Sequence, residues 1–169
     1  MSVQDCDKAY QTQHFLCDEM LQGLGRWLRT AGYDTLIAIP GSPDRELIEL
    51  ARSEQRLLIT RDRKMAEFKN SSEHVMVLQA NMLNECVQEL SSRLSIYWLY
   101  KPFSRCLLCN SLLIQTNQQQ QAQLPDNIRQ GGDRGVYCPN CGKLYWSGGH
   151  VRRMRHKLEA FEAMGKDGL

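Results

Sequence analysis

The sequence predicts an α/β domain with a mostly parallel sheet, followed by a small zinc-binding module that ends in a helix. Over residues 14–96, short apolar runs alternate with amphipathic segments, which is typical of a parallel sheet covered by helices on both faces. Two CxxC pairs follow in the last third of the chain, Cys106-Leu-Leu-Cys109 and Cys138-Pro-Asn-Cys141. Four thiolates at this spacing fit one tetrahedral zinc ion.

Four strands alternate with four helices in the predicted α/β part. Each strand is a short apolar run bounded by polar residues, and each helix repeats its apolar residues every three or four positions. The strands are predicted at 14–17, 35–39, 56–60 and 74–78, and the helices at 19–31, from 42, at about 62–69 and from 81.

Local signals support the bounds of the first two helices. Leu21 and Leu24 share one face of the first helix, and Gly32 stops it. Ser42 and Pro43 open the second helix, because a capping residue followed by proline is a common N-terminal signature.

The rest of the chain is predicted as a connector, a zinc module and a final helix. The Gln-rich stretch 115–123 is expected to be a solvated loop, and 144–146 a strand of the zinc ribbon. The last helix, 151–164, has Val151, Met154, Leu158 and Phe161 as its apolar stripe. The predicted units are an N-terminal tail at 1–13, an α/β domain at 14–96, a connector at 97–103 and a zinc ribbon with a basic helix at 104–169.

The two CxxC pairs also carry turn signatures. Asn110 follows the first pair and Gly142 the second, and both residue types tolerate the left-handed backbone conformation of such turns. The alternative interpretation is two disulfides or buried thiols without a ligand. Because four sulfurs close the coordination sphere, the predicted zinc is structural, and chemistry has to be sought elsewhere in the chain.

Composition favours a globular protein with an uneven charge distribution. Hydrophobic residues make up 42% and charged residues 24% of the chain, and no apolar run approaches the length of about 20 residues that spans a membrane. No secretory signal is visible at the N-terminus, so we expect a cytoplasmic location and no membrane partner. Residues 1–100 carry 11 Lys and Arg against 14 Asp and Glu, whereas residues 101–169 carry 10 against 5. This asymmetry favours an acidic site beside a polyanion-binding surface, although surface composition alone can produce it.

Three acids are predicted to meet at one edge of the sheet. Asp18 follows the first strand, Asp44 the second and Asp62 the third, and the carboxyl ends of parallel strands share an edge. Carboxylates gathered there would hold Mg²⁺ or Mn²⁺, with Glu46 as an outer ligand or base. The alternative is that these acids only cap or begin helices, where the helix dipole favours negative charge. Asp34 precedes its strand and belongs at the opposite edge.

Arginines near both predicted sites suggest contacts with phosphate. Arg26, Arg29 and Arg61 lie near the acids in sequence, and arginine beside carboxylates can hold a phosphodiester. Arg152, Arg153 and Arg155 lie on the last helix, close to Trp146, in an arrangement that suits an RNA backbone with stacked bases. The alternative is a solvated charged surface.

With these residues in hand, the chain resembles the Mut7-C RNase family, in which a PIN-like nuclease domain precedes a zinc ribbon. The stretches that carry the resemblance are Phe15-Leu-Cys-Asp18, Gly23-Leu-Gly-Arg-Trp-Leu-Arg29, Gly32-Tyr-Asp34, Leu58-Ile-Thr-Arg-Asp62, Ser104-Arg-Cys-Leu-Leu-Cys-Asn110 and Cys138-Pro-Asn-Cys-Gly-Lys-Leu-Tyr-Trp146 through Arg155. The resemblance implies a PIN-like three-layer α/β fold, metal-dependent RNase activity, and Asp18, Asp62 and Asp44 as the metal-holding acids. Where PIN nucleases commonly carry a further acid after the fourth strand, this chain has Gln79-Ala-Asn81.

The sequence thus favours a ribonuclease with one structural zinc and one or two catalytic Mg²⁺ or Mn²⁺ ions. Asp18, Asp44 and Asp62 would hold the catalytic metal, Arg61 would steady the phosphate, and the ribbon with its helix would bind RNA. One alternative is a catalytically silent RNA-binding or ribosome-associated adaptor on the same scaffold. Another is a module that binds a protein partner through its aromatic connector.

Overall fold

The computed structural model describes residues 13–68 and 73–166. The predicted N-terminal tail, apart from residue 13, and the predicted end of the third helix at residue 69 lie outside the described residues. The prediction of a three-layer α/β domain followed by a cysteine-rich ribbon is confirmed.

A four-stranded parallel sheet forms the centre of the first domain. Its strands are β1 (Phe15–Cys17), β2 (Thr35–Ile37), β3 (Leu57–Thr60) and β4 (Val75–Val77), in the order β2-β1-β3-β4. Phe15 pairs with Thr35 on one side and with Leu57 on the other. β2 is shorter than predicted because its partner β1 ends at Cys17, and Ile39 beyond it is 78% exposed.

Helices cover both faces of this sheet. α1 (Gln22–Ala31) follows a 3₁₀ turn at Glu19–Leu21, α2 (Asp44–Ser53) follows β2, and α3 (Leu83–Arg93) follows β4. The predicted polar helix after β3 is a 3₁₀ helix, Arg63–Glu67.

Two of the predicted helix signals work differently in the structure. Pro43 has an extended backbone and lies just before α2, so the helix begins at Asp44. α1 ends at Gly32, whose φ is 104°, and a Cβ there would lie 2.5 Å from the Lys101 carbonyl oxygen. Gly32 is therefore required both by its backbone conformation and by the close approach of the connector.

Successive side chains of each strand point to opposite faces of the sheet, and this alternation creates two separate hydrophobic cores. Phe15, Cys17 and Ile59 point to the face covered by α1 and α3, whereas Leu16 and Leu58 point to the face covered by α2. The first core is the larger and also contains Tyr33 and Trp98 from the chain segments that follow α1 and α3.

The cysteine-rich part forms a small antiparallel sheet. Its strands are β5 (Ile114–Gln115), β6 (Val136–Tyr137) and β7 (Leu144–Tyr145), in that order. Two short helices, α4 (Gln118–Gln121) and α5 (Asp126–Gln130), lie between β5 and β6.

The Gln-rich stretch is more ordered than predicted. The Asn117 side chain accepts from the Gln120 N–H (3.0 Å), and the Gln120 side chain accepts from the Asn117 N–H (2.8 Å). This reciprocal cap begins α4, so the prediction of a plain loop is wrong here. The stretch lacks apolar periodicity, and the helix depends on local side-chain hydrogen bonds instead.

The last helix, α6 (Gly149–Lys166), returns to the first domain. Leu158 and Phe161 are fully buried in the first core, and the Phe161 ring lies 5.2 Å from that of Trp27 and 5.1 Å from that of Trp98. The backbone N–H of Trp98 donates to the Glu162 carboxylate (2.9 Å). The second half of the predicted apolar stripe, Leu158 and Phe161, therefore completes a core made by residues far earlier in the chain, whereas Val151 and Met154 are only partly buried.

None of the helices in the described part of the chain combines the length and apolar character that crossing a membrane requires.

Candidate active site and metal centre

The hydroxyl of Thr60 joins two of the predicted acids at the carboxyl edge of the sheet. Thr60 is the last residue of β3, is fully buried, and donates to the Asp18 carboxylate (2.7 Å). The same hydroxyl accepts from the Asp62 N–H (3.0 Å). Asp18, which directly follows the adjacent strand β1, is 6% exposed. Thr60, a residue that sequence analysis did not single out, therefore orients the Asp18 carboxylate and holds the backbone at Asp62.

One of the three acids also acts as a helix cap. The Asp62 carboxylate accepts from the Lys64 N–H (2.9 Å) at the start of the 3₁₀ helix. Asp18 precedes its 3₁₀ turn without such a bond, and Asp44 is the first residue of α2. The alternative of a helix cap or a helix N-terminal acid thus holds for Asp62 and for Asp44, and capping leaves the second carboxylate oxygen of Asp62 for another partner.

The loops after β1 and β2 are tied together by Glu19. Its carboxylate accepts from the Gly41 N–H (2.6 Å), and Gly41 has a φ of 81° in the turn that leads to α2. Asp44 is half-buried beyond this turn, and Glu46 is exposed. Sequence analysis missed Glu19, although its position directly after Asp18 places it at the same edge.

The acids share the edge without forming a compact cluster. In residues 13–68 and 73–166, one group of three or more potential metal ligands has all its ligand atoms within 4.8 Å of one another, and it consists of the four cysteines. Mg²⁺ is commonly held by one or two carboxylates together with water and substrate phosphates. Asp18 and Asp62 follow the adjacent strands β1 and β3 at this edge, and two carboxylates are the donors that such a site needs.

Amide side chains after β4 meet arginines from the turn after β3. The Arg61 guanidinium donates to the Asn81 side chain (3.3 Å), and Arg63 donates to the Gln79 side chain (2.6 Å). The Arg61 Nε is buried and has no hydrogen-bond partner within the described residues. The polar side chains that follow β4 and hold these arginines are thus amides and not acids.

The two cysteine pairs form knuckles of the same shape. In the first, the Cys106 N–H donates to the Ser111 carbonyl and the Asn110 N–H to the Cys106 carbonyl. In the second, Cys138 and Gly142 repeat both bonds, with the Lys143 carbonyl in place of that of Ser111. Asn110 and Gly142 both have a φ of 72°, which confirms the turn signature.

The four sulfurs face one another across the knuckles. Cys106 Sγ lies 3.6 Å from Cys141 Sγ, and Cys109 Sγ lies 3.3 Å from Cys138 Sγ. A tetrahedral zinc with Zn–S bonds of about 2.3 Å places its sulfurs about 3.8 Å apart. All four cysteines are free thiols, so the disulfide alternative is excluded and the donor set fits zinc.

Against the effect of burial, hydrogen bonds lower the pKa of two of the four thiols, those of Cys106 and Cys109, whereas, despite the Lys143 N–H, the pKa of the Cys141 thiol is raised by its bonds with the other cysteines. The Tyr145 hydroxyl lies 3.2 Å from Cys106 Sγ and accepts from the Leu107 N–H (3.3 Å), which leaves its proton for the sulfur. Burial raises the pKa of the Cys109 thiol, but hydrogen bonds with Ser111 outweigh this and lower the pKa to about 5. Thiolates are the form that zinc binds.

A comparison with protein-family models decides the family. The model of the Mut7-C RNAse domain matches residues 13–158, a range that includes the sheet, the acidic edge and both knuckles. The chain belongs to the Mut7-C RNase family. No curated protein and no solved structure matches it. The Mut7-C family indicates a nuclease-like function, and its four-cysteine cluster fits a zinc ribbon.

In this Mut7-C protein the first knuckle docks on the amino edge of the sheet, opposite the acids. The Asn110 side-chain carbonyl accepts from the Thr35 N–H (3.1 Å), and its amide group donates to the Asp34 carboxylate (2.9 Å). Arg56 donates to the same carboxylate (2.6 Å). Burial raises the pKa of Asp34, but hydrogen bonds from Arg56 and Asn110 outweigh this and hold it below its ordinary value. The predicted position of Asp34 at the far edge is confirmed.

Arg29 belongs to this docking interface and not to an RNA surface. It is 5% exposed, and its guanidinium donates to the carbonyls of Thr35 (2.8 Å), Leu107 (3.0 Å) and Leu108 (2.9 Å). The expectation that Arg29 contacts RNA is therefore wrong, because its donors already hold the knuckle of the Mut7-C ribbon against α1 and β2.

The other arginines predicted to bind RNA are accessible. Arg26, Arg152, Arg153 and Arg155 are exposed, and within the described residues none of them pairs with a carboxylate. Trp146, at the end of the Mut7-C ribbon, is 37% exposed. These side chains are free to meet a ligand.

Proposed function

We propose that this protein is a metal-dependent, endonucleolytic ribonuclease that cleaves RNA at the carboxyl edge of its parallel sheet. The observation that carries the proposal is the Thr60 hydroxyl, which orients the buried carboxylate of Asp18 and bonds to the backbone N–H of Asp62. A buried carboxylate is costly unless it is hydrogen-bonded or paired with a cation. Family membership supports a nuclease and therefore an RNA substrate.

Asp18 and Asp62 would hold Mg²⁺ or Mn²⁺, with Asp44 as a further ligand. When bound, the cation would lower the pKa of a water molecule and stabilise charge on a phosphoryl oxygen. Thr60 keeps the Asp18 carboxylate oriented by donating its proton, and Glu46 would take up a proton at the edge of the site. Arg61 would steady the phosphate with the guanidinium that now contacts Asn81.

Zinc in the four-cysteine site would be structural. It would hold the two knuckles together and thereby fix the ribbon on the amino edge of the sheet. Arg26, Arg152, Arg153 and Arg155, with Trp146, would bind the RNA backbone and its bases.

The direct test is RNA cleavage by the zinc-loaded protein with added Mg²⁺ or Mn²⁺. Asp18→Asn and Asp62→Asn should each reduce cleavage by at least about a hundredfold, because each variant removes a charged metal ligand. Calorimetric titration with Mn²⁺ should show saturable binding that the double variant loses. If wild-type protein cleaves no RNA with either metal, or if both variants cleave normally, the proposal fails.

The second candidate function is a catalytically silent RNA-binding adaptor. It is favoured by one observation, the absence of a compact three-acid cluster in the described part of the chain. This alternative predicts salt-dependent RNA binding without cleavage. Asp62→Asn would leave the binding unchanged, whereas replacing Arg152, Arg153 and Arg155 by Glu would abolish it.

A further inference from the structure

A basic surface runs from α6 across the connector to the outer face of α1. We call it the arginine lane, and it consists of Arg152, Arg153 and Arg155 of α6, Phe103 of the connector and Arg26 of α1. Its four arginines are exposed and form no ion pair within the described residues. Arg152 and Arg155 are three residues apart on α6 and share one face of the helix, and exposed arginines without carboxylate partners attract a polyanion.

Phe103 connects the two ends of the arginine lane. Its N–H donates to the Thr30 carbonyl near the end of α1 (2.8 Å), and the Arg155 guanidinium lies over its ring, 5.3 Å from the centroid. Phe103 has a φ of 62°, a left-handed conformation that bulky residues rarely adopt. Backbone strain of this kind persists where several contacts enforce it, and it is often found at ligand sites.

Arg26 continues the lane along α1 toward the acids. It lies one helical turn before Thr30, whose hydroxyl donates to the Arg26 carbonyl (2.8 Å), so both residues share one face of the helix. α1 begins at Gln22, directly after the 3₁₀ turn that follows Asp18. The 10 residues of α1 cover about 15 Å at about 1.5 Å per residue. That length corresponds to about four stacked nucleotides at about 3.4 Å each.

We propose that the arginine lane binds single-stranded RNA and guides it along α1 to the sheet edge that holds Asp18. The destination of the strand rests on the proposed nuclease function, whereas the binding itself does not. Phe103 is a positioning residue, because its ring lies under the exposed Arg155 guanidinium and restrains it by a cation–π contact.

The position of Arg155 over the Phe103 ring indicates which class of ligand the arginine lane binds. A guanidinium plane held by an aromatic ring can stack with an unpaired base while its N–H groups contact phosphate. A duplex keeps its bases stacked inside and offers no such partner, and an acidic peptide offers carboxylates but no bases. Single-stranded RNA supplies both the negative charge that the arginines attract and the unpaired bases that can stack on the guanidinium plane.

The test is fluorescence anisotropy with a labelled oligouridylate of about 12 nucleotides, a length that exceeds the lane, and with zinc-loaded protein in the absence of other divalent metals. Arg155→Glu and Arg26→Glu should each weaken binding by about tenfold and flatten the slope of log affinity against log salt by about 0.7 per lost phosphate contact. Arg155→Lys should lose affinity severalfold with an unchanged slope, since lysine keeps the charge but lacks the plane.

Arg52→Glu is the matched control for these charge reversals. Arg52 is exposed on α2, which packs against the opposite face of the sheet, so this variant should bind RNA like wild type. Wild-type affinity in both Arg26→Glu and Arg155→Glu would overturn the arginine lane. Tighter binding of a duplex with the same dependence on these arginines, or displacement of the RNA by polyglutamate of equal charge, would overturn the assignment to single strands.

The arginine lane and the nuclease proposal can fail separately. If the lane variants lose RNA affinity but wild-type protein cleaves no RNA with Mg²⁺ or Mn²⁺, the arginine lane is supported as an RNA-binding surface and the nuclease proposal is rejected. If wild-type protein cleaves RNA and the lane variants bind and cleave RNA as well as wild type does, the arginine lane is rejected and the nuclease proposal is supported.

Discussion

Asn110 of the first cysteine knuckle donates its side-chain amide to Asp34, 76 residues earlier in the chain, at 2.9 Å. The corresponding residue of the second knuckle is Gly142, and both residues have a φ of 72°. The turn alone would accept glycine at either position. Asparagine occurs in the knuckle that docks on the sheet, because there its side chain has two partners to bind.

Replacing Asn110 by Gly should separate docking from turn formation. The variant keeps the left-handed turn but leaves the buried Thr35 N–H without its partner, which should lower the free energy of unfolding by about 1–3 kcal/mol. Thermal or denaturant unfolding of the zinc-loaded protein measures the effect. Gly142→Asn is the matched control: it is exposed, a Cβ there meets nothing within 4 Å, and it should change stability by less than about 1 kcal/mol.

Arg29→Lys should loosen the ribbon although it keeps the charge. The single ammonium group of lysine cannot donate to the carbonyls of Thr35, Leu107 and Leu108 at the same time. We therefore expect the free energy of unfolding to fall by about 2–4 kcal/mol. A competing zinc chelator should also extract zinc faster from this variant, because the knuckle is no longer held. Unchanged stability and zinc release would show that the guanidinium is not needed for docking.

Asp34→Asn should change how the free energy of unfolding depends on pH in the acidic range. The pKa of Asp34 is lower in the folded protein than in the unfolded chain, so its contribution is present above its unfolded pKa and is lost as pH falls through the lowered value. The variant should therefore show a shallower loss of stability below about pH 4. Unfolding midpoints measured across this pH range test it, and wild-type pH dependence in the variant would contradict it.

Thr60→Val should weaken metal binding at the acidic edge with little change in shape. The valine removes the donor that orients the Asp18 carboxylate, and loss of such a supporting hydrogen bond typically costs about tenfold or more in metal affinity. Calorimetric Mn²⁺ titration measures the loss. Thr30→Val is the control: Thr30 is equally buried, and its hydroxyl donates to the Arg26 carbonyl, away from the acids.

The two glycines at the start of α1 should respond in opposite directions to alanine. A Cβ at Gly25 would lie 2.8 Å from the Ile37 side chain and 3.3 Å from that of Cys17, so Gly25→Ala should destabilise the protein by about 1–3 kcal/mol. A Cβ at Gly23 meets nothing within 4 Å, so Gly23→Ala should be neutral or stabilise by up to about 1 kcal/mol. Denaturant unfolding of the pair compares them directly, and equal effects would contradict the packing argument.

Much of the fold could be predicted because its signals are local. The apolar runs of β1 to β4, the stop at Gly32 and the paired CxxC turns each depend on a few neighbouring residues. The same local logic placed Asp18 and Asp62 at the carboxyl edge, since parallel strands share one direction. It failed at residues 118–121, where side-chain caps and not apolar periodicity form the helix.

The sequence by itself determined the order of the elements, the four metal-binding thiols and the edge that carries the acids. Only the tertiary structure decided what Arg29, Thr60 and Phe103 do. Arg29 has the same charge as Arg26 and lies one turn later on the same helix, but its partner Leu107 is 78 residues away in the chain. Its burial makes it a docking residue and not a candidate for RNA binding. Partners that come from distant segments leave no periodic pattern in the sequence, so such roles follow from packing alone.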